Sequence, residues 1–126
     1  MDAPANVGTT TNQTIIQHMR KQAPFEIGYG ALALAGMAKV ERKHRSSVRQ
    51  AIEEQLSHQP LVETRNRKAL IKLARHGEET WELRCGPSNR FRVFYQVDLD
   101  NRRVLVVAVA VKVGNRLYVG GEEFVP

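Results

Sequence analysis

The sequence predicts an α+β fold, in which an N-terminal strand and a helical hairpin pack on one face of a curved, mainly antiparallel sheet. Two segments with helical spacing come early in the chain, and three segments with strand alternation follow later with short connections. Helices and strands segregated along the chain in this way are typical of α+β domains. A chain of 126 residues has room for one domain with a modest core. We expect this domain to span 25–126, after a flexible tail at 1–24.

The first part of the predicted domain is a strand followed by the two helices. FEIGY at 25–29 alternates as a strand does, and the alanine- and leucine-rich segment from 31 to about 40 favours a helix. A second helix is predicted from about 43 to 58, because Pro60 stops it and its apolar residues form one stripe. These apolar residues are Val48, Ala51, Ile52 and Leu56. The hairpin is therefore amphipathic enough to lie across a sheet.

The second part of the predicted domain is a basic loop followed by a run of strands. The apolar residues at 59–79 follow neither helical nor strand spacing, so we expect a loop with a short strand or turn at 68–73. Strands are predicted at about 80–85, 90–98 and 103–112, and NRLYVGGEEF adds a short edge strand. The segment DLDN connects the second and third of these strands as a tight hairpin. The third strand is apolar on both faces, which is typical of a central strand.

The composition excludes several classes of protein and favours a polyanionic partner. The longest apolar run, VLVVAVAV at 104–111, is far shorter than the ~18 residues that cross a bilayer, so no membrane segment is expected. The single cysteine, Cys85, cannot form an internal disulfide, which agrees with a cytoplasmic protein. The net charge of +6 predicts attraction to nucleic acid, an acidic membrane surface or an acidic protein. The histidines are scattered without ligand spacing, so no metal site is expected.

The stretch WELRCGPSNRFRVFYQV at 81–97 places arginine at three of its polar positions, Arg84, Arg90 and Arg92. Because side chains alternate along a strand, Arg84 shares a face with Glu82, and the apolar residues of the same strand point toward the helices. The same alternation separates Arg92 from the apolar residues on either side of it. The sequence therefore predicts a core face and a basic face.

The position of Lys112 depends on the connection between the last two long strands. Arg92 and Lys112 lie on adjacent strands of the predicted hairpin. They share a face only if the connection has an odd number of residues, for example three at 99–101. A connection of two residues would place them on opposite faces. The register of this hairpin is thus the main test of a shared basic site.

The order of elements and four phrases resemble the RelE/ParE superfamily of toxins from bacterial type II toxin–antitoxin modules. The resemblance covers about residues 25 to 121, and its phrases are EEQLSHQP, RNRKAL, WELRCGPSNRFRVFYQVD and AVAVKVGNRLYVGG. Its most specific part is the pattern W-x-L-R, a turn, and R-V-F-Y-x-V-D on two paired strands. The resemblance implies the same α+β fold and a toxin function.

The RelE-like branch of this superfamily implies an mRNA endonuclease that depends on the ribosome and needs no metal or other cofactor. By position, the resemblance implies catalytic roles for Arg84, Arg92, Lys112 and Tyr118. The two arginines would clamp the phosphate and stabilise its developing charge. Lys112 would donate a proton to the leaving oxygen, and Tyr118 would serve as the general base.

The remaining basic residues of the site are expected to hold the RNA backbone. They are Arg65, Arg67, Lys68 and Arg90. The expected partners are the ribosome and mRNA, together with an acidic antitoxin that covers the basic face. The antitoxin would also carry the toxin to operator DNA, where the two repress their own promoter.

Two positions depart from the RelE-like pattern and leave alternatives open. Glu82 stands where a lysine is expected, and Lys112 stands where an arginine is expected. A carboxylate at the first position would repel a phosphate, although Glu82 is also a conceivable general base. This departure favours a ParE-like protein that binds gyrase and has no nuclease chemistry. A further alternative is an inactive relative that binds RNA or a protein partner.

Overall fold

The computed structural model describes residues 23–75 and 78–126, and this part of the chain forms two helices and one seven-stranded sheet. The helices are α1 (Ala31–Lys39) and α2 (Arg42–Leu56). The strands are β1 (Glu26–Tyr29), β2 (Arg67–Arg75), β3 (Glu78–Cys85), β4 (Phe91–Asp98), β5 (Arg103–Val113), β6 (Arg116–Val119) and β7 (Glu122–Phe124). The α+β architecture predicted from the sequence is confirmed. Most of the predicted tail, residues 1–22, lies outside the described residues. No helix within the described ranges is long and apolar enough to cross a membrane.

The sheet is built around β5. The strands from β2 to β7 lie side by side in chain order and pair antiparallel, whereas β1 pairs parallel with the first half of β5. One edge of β5 therefore pairs with β4, and the other pairs first with β1 and then with β6. This central position agrees with the prediction drawn from the apolar residues on both of its faces.

The main core lies between the helices and one face of the sheet. Val48, Ile52 and Leu56 of α2 are almost completely buried, as their spacing predicts. The strand residues that face them alternate along β3, β4 and β5, and they are Trp81, Leu83, Phe91, Val93, Tyr95, Val104, Val106 and Val109. Their burial confirms the predicted core face. The sheet face away from the helices, which carries Glu82, Arg92 and Ala110, is called the open face below.

The short strand or turn predicted at 68–73 is a strand, but the surrounding loop is shorter than predicted, because β2 spans residues 67–75. Arg67 pairs with Leu83 and Lys68 pairs with Glu82 in an antiparallel ladder, and the register shifts between Leu70 and Arg75. The backbone hydrogen bonds of this segment come from β3, and its own side chains do not show a clean alternation. Pairing with β3, rather than the pattern of its own side chains, therefore makes this segment a strand.

Arg92 and Lys112 lie on the same face of the sheet, but the predicted reason is wrong. The connection between β4 and β5 comprises residues 99–102, since Asp98 pairs with Arg103. This even connection would have placed the two cations on opposite faces. A bulge at Val107 corrects the register, because Tyr95 pairs with Val106 while Phe94 pairs with Ala108. Arg92 then pairs with Ala110, and Lys112 follows on the same side.

Helix α1 lies directly on the backbone of β5 at Gly36. A Cβ atom at this position would lie 1.9 Å from the carbonyl oxygen of Val109 and 2.8 Å from its carbonyl carbon. Neither atom belongs to a flexible side chain, so an alanine would push the helix away from the sheet. The close approach of α1 and β5 therefore requires glycine here.

Replacement of Gly36 by alanine is expected to destabilise the fold by about 2–3 kcal/mol, because overpacking exceeds the gain of about 1 kcal/mol in helix propensity. The matched control is Gly28→Ala on β1, where a Cβ would meet no atom within 4 Å. Urea unfolding monitored by tryptophan fluorescence measures both variants. Equal stability of the two variants would contradict the close approach.

The side chain of Arg67, which the sequence analysis expects to bind RNA, is buried and stabilises the end of α2. Its NH1 group donates to the carbonyl oxygens of Gln55 at 2.6 Å and Gln59 at 2.8 Å. Carbonyl groups in the last turn of a helix lack partners within the helix, and a cation there is favourable. Arg67 faces the helices because it pairs with Leu83, whose side chain belongs to the main core.

Substitution of Arg67 by methionine is expected to lower the free energy of unfolding by about 2–4 kcal/mol, because two carbonyl groups at the end of α2 lose a buried charged donor. Arg65→Met is the matched control, since Arg65 is exposed two residues earlier, in the connection before β2. Chemical denaturation checks the difference between the two variants. If the control were equally damaging, the buried contacts of Arg67 would not explain the loss.

Candidate functional site

A group of charged side chains lies on the open face, where three neighbouring strands meet. Lys68 on β2 pairs with Glu82 on β3, and Arg84 on β3 pairs with Arg92 on β4. Paired residues in an antiparallel sheet project to the same side. The strand register therefore brings three cations and one carboxylate together, and we call these four residues the cationic cluster.

Glu82 lies at the centre of the cationic cluster and links its members. Its Oε1 accepts a hydrogen bond from Nε of Arg84 at 3.2 Å, and the same oxygen lies 3.9 Å from Nζ of Lys68. Its Oε2 accepts from NH1 of Arg92 at 3.4 Å. The side chain of Glu82 is only 7% exposed. A carboxylate removed from water to this extent needs such partners, because burial of an unpaired charge is costly.

The position of Glu82 offsets a repulsion between two arginines that the strand register creates. Arg84 and Arg92 lie directly opposite each other, and like charges in such a pair repel. The carboxylate of Glu82 lies against both guanidiniums and offsets this repulsion. The four side chains together still carry a net formal charge of +2, from three cations and one anion. The site as a whole is therefore suited to an anionic ligand.

The turn before β4 fixes the guanidinium of Arg92. The segment Gly86 to Asn89 turns sharply, with positive φ at Gly86, Ser88 and Asn89. This turn directs the carbonyl oxygen of Asn89 toward Nε of Arg92, which donates to it at 3.0 Å. Arg92 is thus held at one edge by the backbone and at another by Glu82. Its other N–H donors make no hydrogen bond to any of the described residues.

Lys112 extends the positive charge of the open face toward the end of β5. Its backbone N–H donates to the carbonyl oxygen of Arg90 at 2.8 Å, and its side chain is exposed. Within the described ranges no carboxylate lies within ion-pair distance of its Nζ. The amine of Lys112 is therefore available to a ligand that reaches the cationic cluster.

A second apolar cluster, which the sequence analysis missed, forms the floor of the open face beside these charges. Its buried members are Phe94, Ala108, Ala110 and Val119, with Leu70, Leu117 and Phe124 packed against them. The rings of Phe94 and Phe124 have centroids 5.4 Å apart. The apolar residues on both faces of β5 were the available signal for this cluster. The open face thus combines an apolar floor with a cationic end.

The structure does not bring Tyr118 to the cationic cluster. Tyr118 pairs with Val111, which packs against the main core on the side of the helices. Leu117 pairs with Lys112 and occupies the open face instead. The hairpin between β5 and β6 therefore directs Tyr118 to the opposite side of the sheet. Of the four residues expected to be catalytic, Arg84, Arg92 and Lys112 lie on the open face and Tyr118 lies on the other.

The other expected RNA contacts are divided between the protein interior and the surface. Arg90 turns toward α2, where its guanidinium lies 3.7 Å from the carboxylate of Glu41 and 5.1 Å from the ring centroid of Phe91. Arg67 is buried at the end of α2. Arg65 is exposed, and the adjoining Asn66 accepts a hydrogen bond from the backbone N–H of Arg84 at 2.8 Å. Of the four expected contacts, the exposed ones on this side of the protein are Lys68, which belongs to the cationic cluster, and Arg65 in the connection before β2.

Two groups near the site have their pKa values raised by burial and are not suited to proton transfer at neutral pH. Burial raises the pKa of the Cys85 thiol to about 11, so the thiol stays protonated and is a poor nucleophile. Burial also raises the pKa of Tyr95, although the nearby Arg67 acts in the opposite direction. The hydroxyl of Tyr95 donates to the carbonyl oxygen of Pro60 at 2.6 Å and is part of the main core.

Comparison with known proteins supports the fold. Among solved structures, the chain is similar to a chain of the toxin–antitoxin complex RelBE2 from Mycobacterium tuberculosis, with a TM-score of 0.57 and 22% sequence identity. The match covers 71% of this chain and 93% of the other. No protein-family model and no curated protein sequence matches the chain at a significant level. The chain therefore has a RelE-like fold, as the sequence predicts.

Proposed function

We propose that the chain is the toxin of a type II toxin–antitoxin module and that it cleaves mRNA on the ribosome. The observation that carries this proposal is the pair Arg84 and Arg92, held side by side on the open face of a RelE-like fold. Two guanidiniums in this arrangement can hold several oxygens of one phosphate. They also stabilise the negative charge that develops on the phosphate during cleavage.

The proposed reaction needs no metal ion or other cofactor. The 2′-hydroxyl of the RNA attacks the adjacent phosphorus and releases its proton to water, while the bond from phosphorus to the 5′ oxygen breaks. Lys112 supplies a proton to that leaving oxygen. The products are a 2′,3′-cyclic phosphate and a 5′-hydroxyl. Arg84 and Arg92 hold the non-bridging oxygens, and Tyr118 takes no part in this scheme because it lies on the other face.

The surroundings of the cluster support a path for the RNA chain. Arg65 and Lys68 are exposed next to Arg84, so positive charge continues along the start of β2. Phosphate groups on either side of the cleaved bond would contact these residues. The net charge of +6 adds a general attraction to the ribosome and its mRNA in the cytoplasm.

The proposed antitoxin is an acidic protein that covers the open face. The half-buried Leu70, Leu117 and Phe124 beside the cationic cluster suit a segment that carries both apolar and acidic side chains, and such a segment could fold on binding. Covering the face would exclude RNA from Arg84 and Arg92. The proposed complex would also bind operator DNA through the antitoxin.

A second candidate function is inhibition of gyrase without nuclease chemistry. The observation that favours it is Glu82, whose carboxylate occupies the centre of the cationic cluster. A site that is partly neutralised from within would stabilise a phosphate less well than a fully cationic one. The two candidates predict different cellular damage, which one experiment separates.

Expression of the chain is expected to produce new mRNA 5′ ends on translating ribosomes, and Arg84→Gln is expected to reduce their yield by about 10²-fold. Arg84 suits this test because its side chain is 35% exposed, so the substitution perturbs folding little. The matched control is Arg103→Gln, an exposed arginine that pairs with Glu26 at the other end of β5. Tyr118→Phe is expected to cleave as the unchanged protein does. Mapping of 5′ ends measures all four proteins.

Intact messages in cells that express the unchanged chain would refute the nuclease proposal. A DNA-damage response together with intact messages would support inhibition of gyrase. Loss of cleavage in Tyr118→Phe would require a different assignment of the catalytic groups.

A further inference from the structure

We infer that Glu82 is an internal competitor of the phosphate and sets the affinity of the cationic cluster for RNA. This inference rests on the proposed function, since it concerns an anion that binds at Arg84 and Arg92. Glu82 itself takes no part in the proposed cleavage reaction.

The geometry of the carboxylate is the first argument. Each oxygen of Glu82 takes one arginine, with Oε1 bound to Arg84 and Oε2 bound to Arg92. Two oxygens that join two guanidiniums resemble the contacts that a phosphate would make at the same place. The carboxylate therefore occupies donors that a phosphate needs. A phosphate that enters the cluster must displace Glu82 or share its partners.

The burial of the carboxylate is the second argument. An exposed glutamate would be screened by water and salt, but the side chain of Glu82 is only 7% exposed. Its charge is therefore screened little by water from the buried guanidinium of Arg92, and more from that of Arg84, which is 35% exposed. Arg92 is equally buried, with 9% of its side chain exposed. In the resting protein one positive charge of the cluster is in effect cancelled from within.

A purely structural role for Glu82 leads to a different expectation. If Glu82 only relieved the repulsion between Arg84 and Arg92, its neutralisation would loosen the arginines and weaken binding of an anion. If Glu82 competes with the phosphate, its neutralisation strengthens that binding and makes it more sensitive to salt. The sign of the change in affinity therefore separates the two roles.

The test measures how tightly the unchanged protein and its variants bind a fluorescent 2′-O-methyl RNA hexamer at several salt concentrations. This RNA cannot be cleaved by 2′-hydroxyl attack. Glu82→Gln is expected to bind this probe about tenfold more tightly than the unchanged protein. The slope of log K against log salt is expected to become steeper by about 0.7, the value for one additional phosphate contact on a single strand. Glu82→Asp, which keeps the charge, is expected to stay near the unchanged protein in both measurements.

The matched control is Glu54→Gln, which makes the same change in net charge at an exposed position on α2. It is expected to change the affinity less than twofold and to leave the slope unchanged. An effect of Glu82→Gln that is no larger than that of Glu54→Gln, or weaker binding, would overturn the inference.

A measurement on the unchanged protein covers the case in which Glu82→Gln does not fold. The side-chain carboxyl carbon of Glu82 is expected to shift in NMR spectra when the RNA hexamer saturates the site, whereas that of Glu54 is not. The absence of a shift at Glu82 would also overturn the inference. Intact messages in the 5′-end experiment, together with tighter binding by Glu82→Gln, would refute the nuclease and leave this role of Glu82 standing.

Discussion

The pairing of β4 with β5, including the bulge at Val107, is the constraint on which the site depends. Without the extra residue, the even connection at 99–102 would turn Lys112 toward the helices. With it, the second half of β5 changes register while its first half keeps the pairing that also accommodates β1. The one strand can therefore direct apolar side chains into the main core and also place Lys112 on the open face. A local irregularity of the backbone thus decides whether the positive charges converge.

The cationic cluster is a compromise between attraction of a ligand and stability of the free protein. Two arginines directly opposite each other would repel, and Glu82 removes much of that repulsion at the expense of positive potential. The backbone contributes as well, since the carbonyl oxygen of Asn89 fixes Arg92. The side chains are thereby held in place before a ligand arrives, which reduces the entropy lost on binding.

The open face also explains why a single surface could serve both an RNA and a protein partner. Its cationic end offers donors to phosphate or carboxylate groups, whereas the half-buried Leu70, Leu117 and Phe124 of the second apolar cluster offer contact area to a protein. A nucleic acid would use mainly the first property, and an acidic amphipathic segment would use both. Under the proposed function the two partners would compete, because both would depend on Arg84 and Arg92.

The sequence by itself determined the α+β class, the apolar stripe of α2 and the separation of Arg84 and Arg92 from the core, because helical spacing and strand alternation are local properties. Only the tertiary structure decided the rest, because it depends on partners distant in sequence. β2 extends over 67–75, beyond the short strand or turn predicted at 68–73, because β3 pairs with it, and Arg67 is buried because the end of α2 accepts its hydrogen bonds. Tyr118 is separated from Lys112 by the register of the last hairpin, which alternation along one strand cannot reveal.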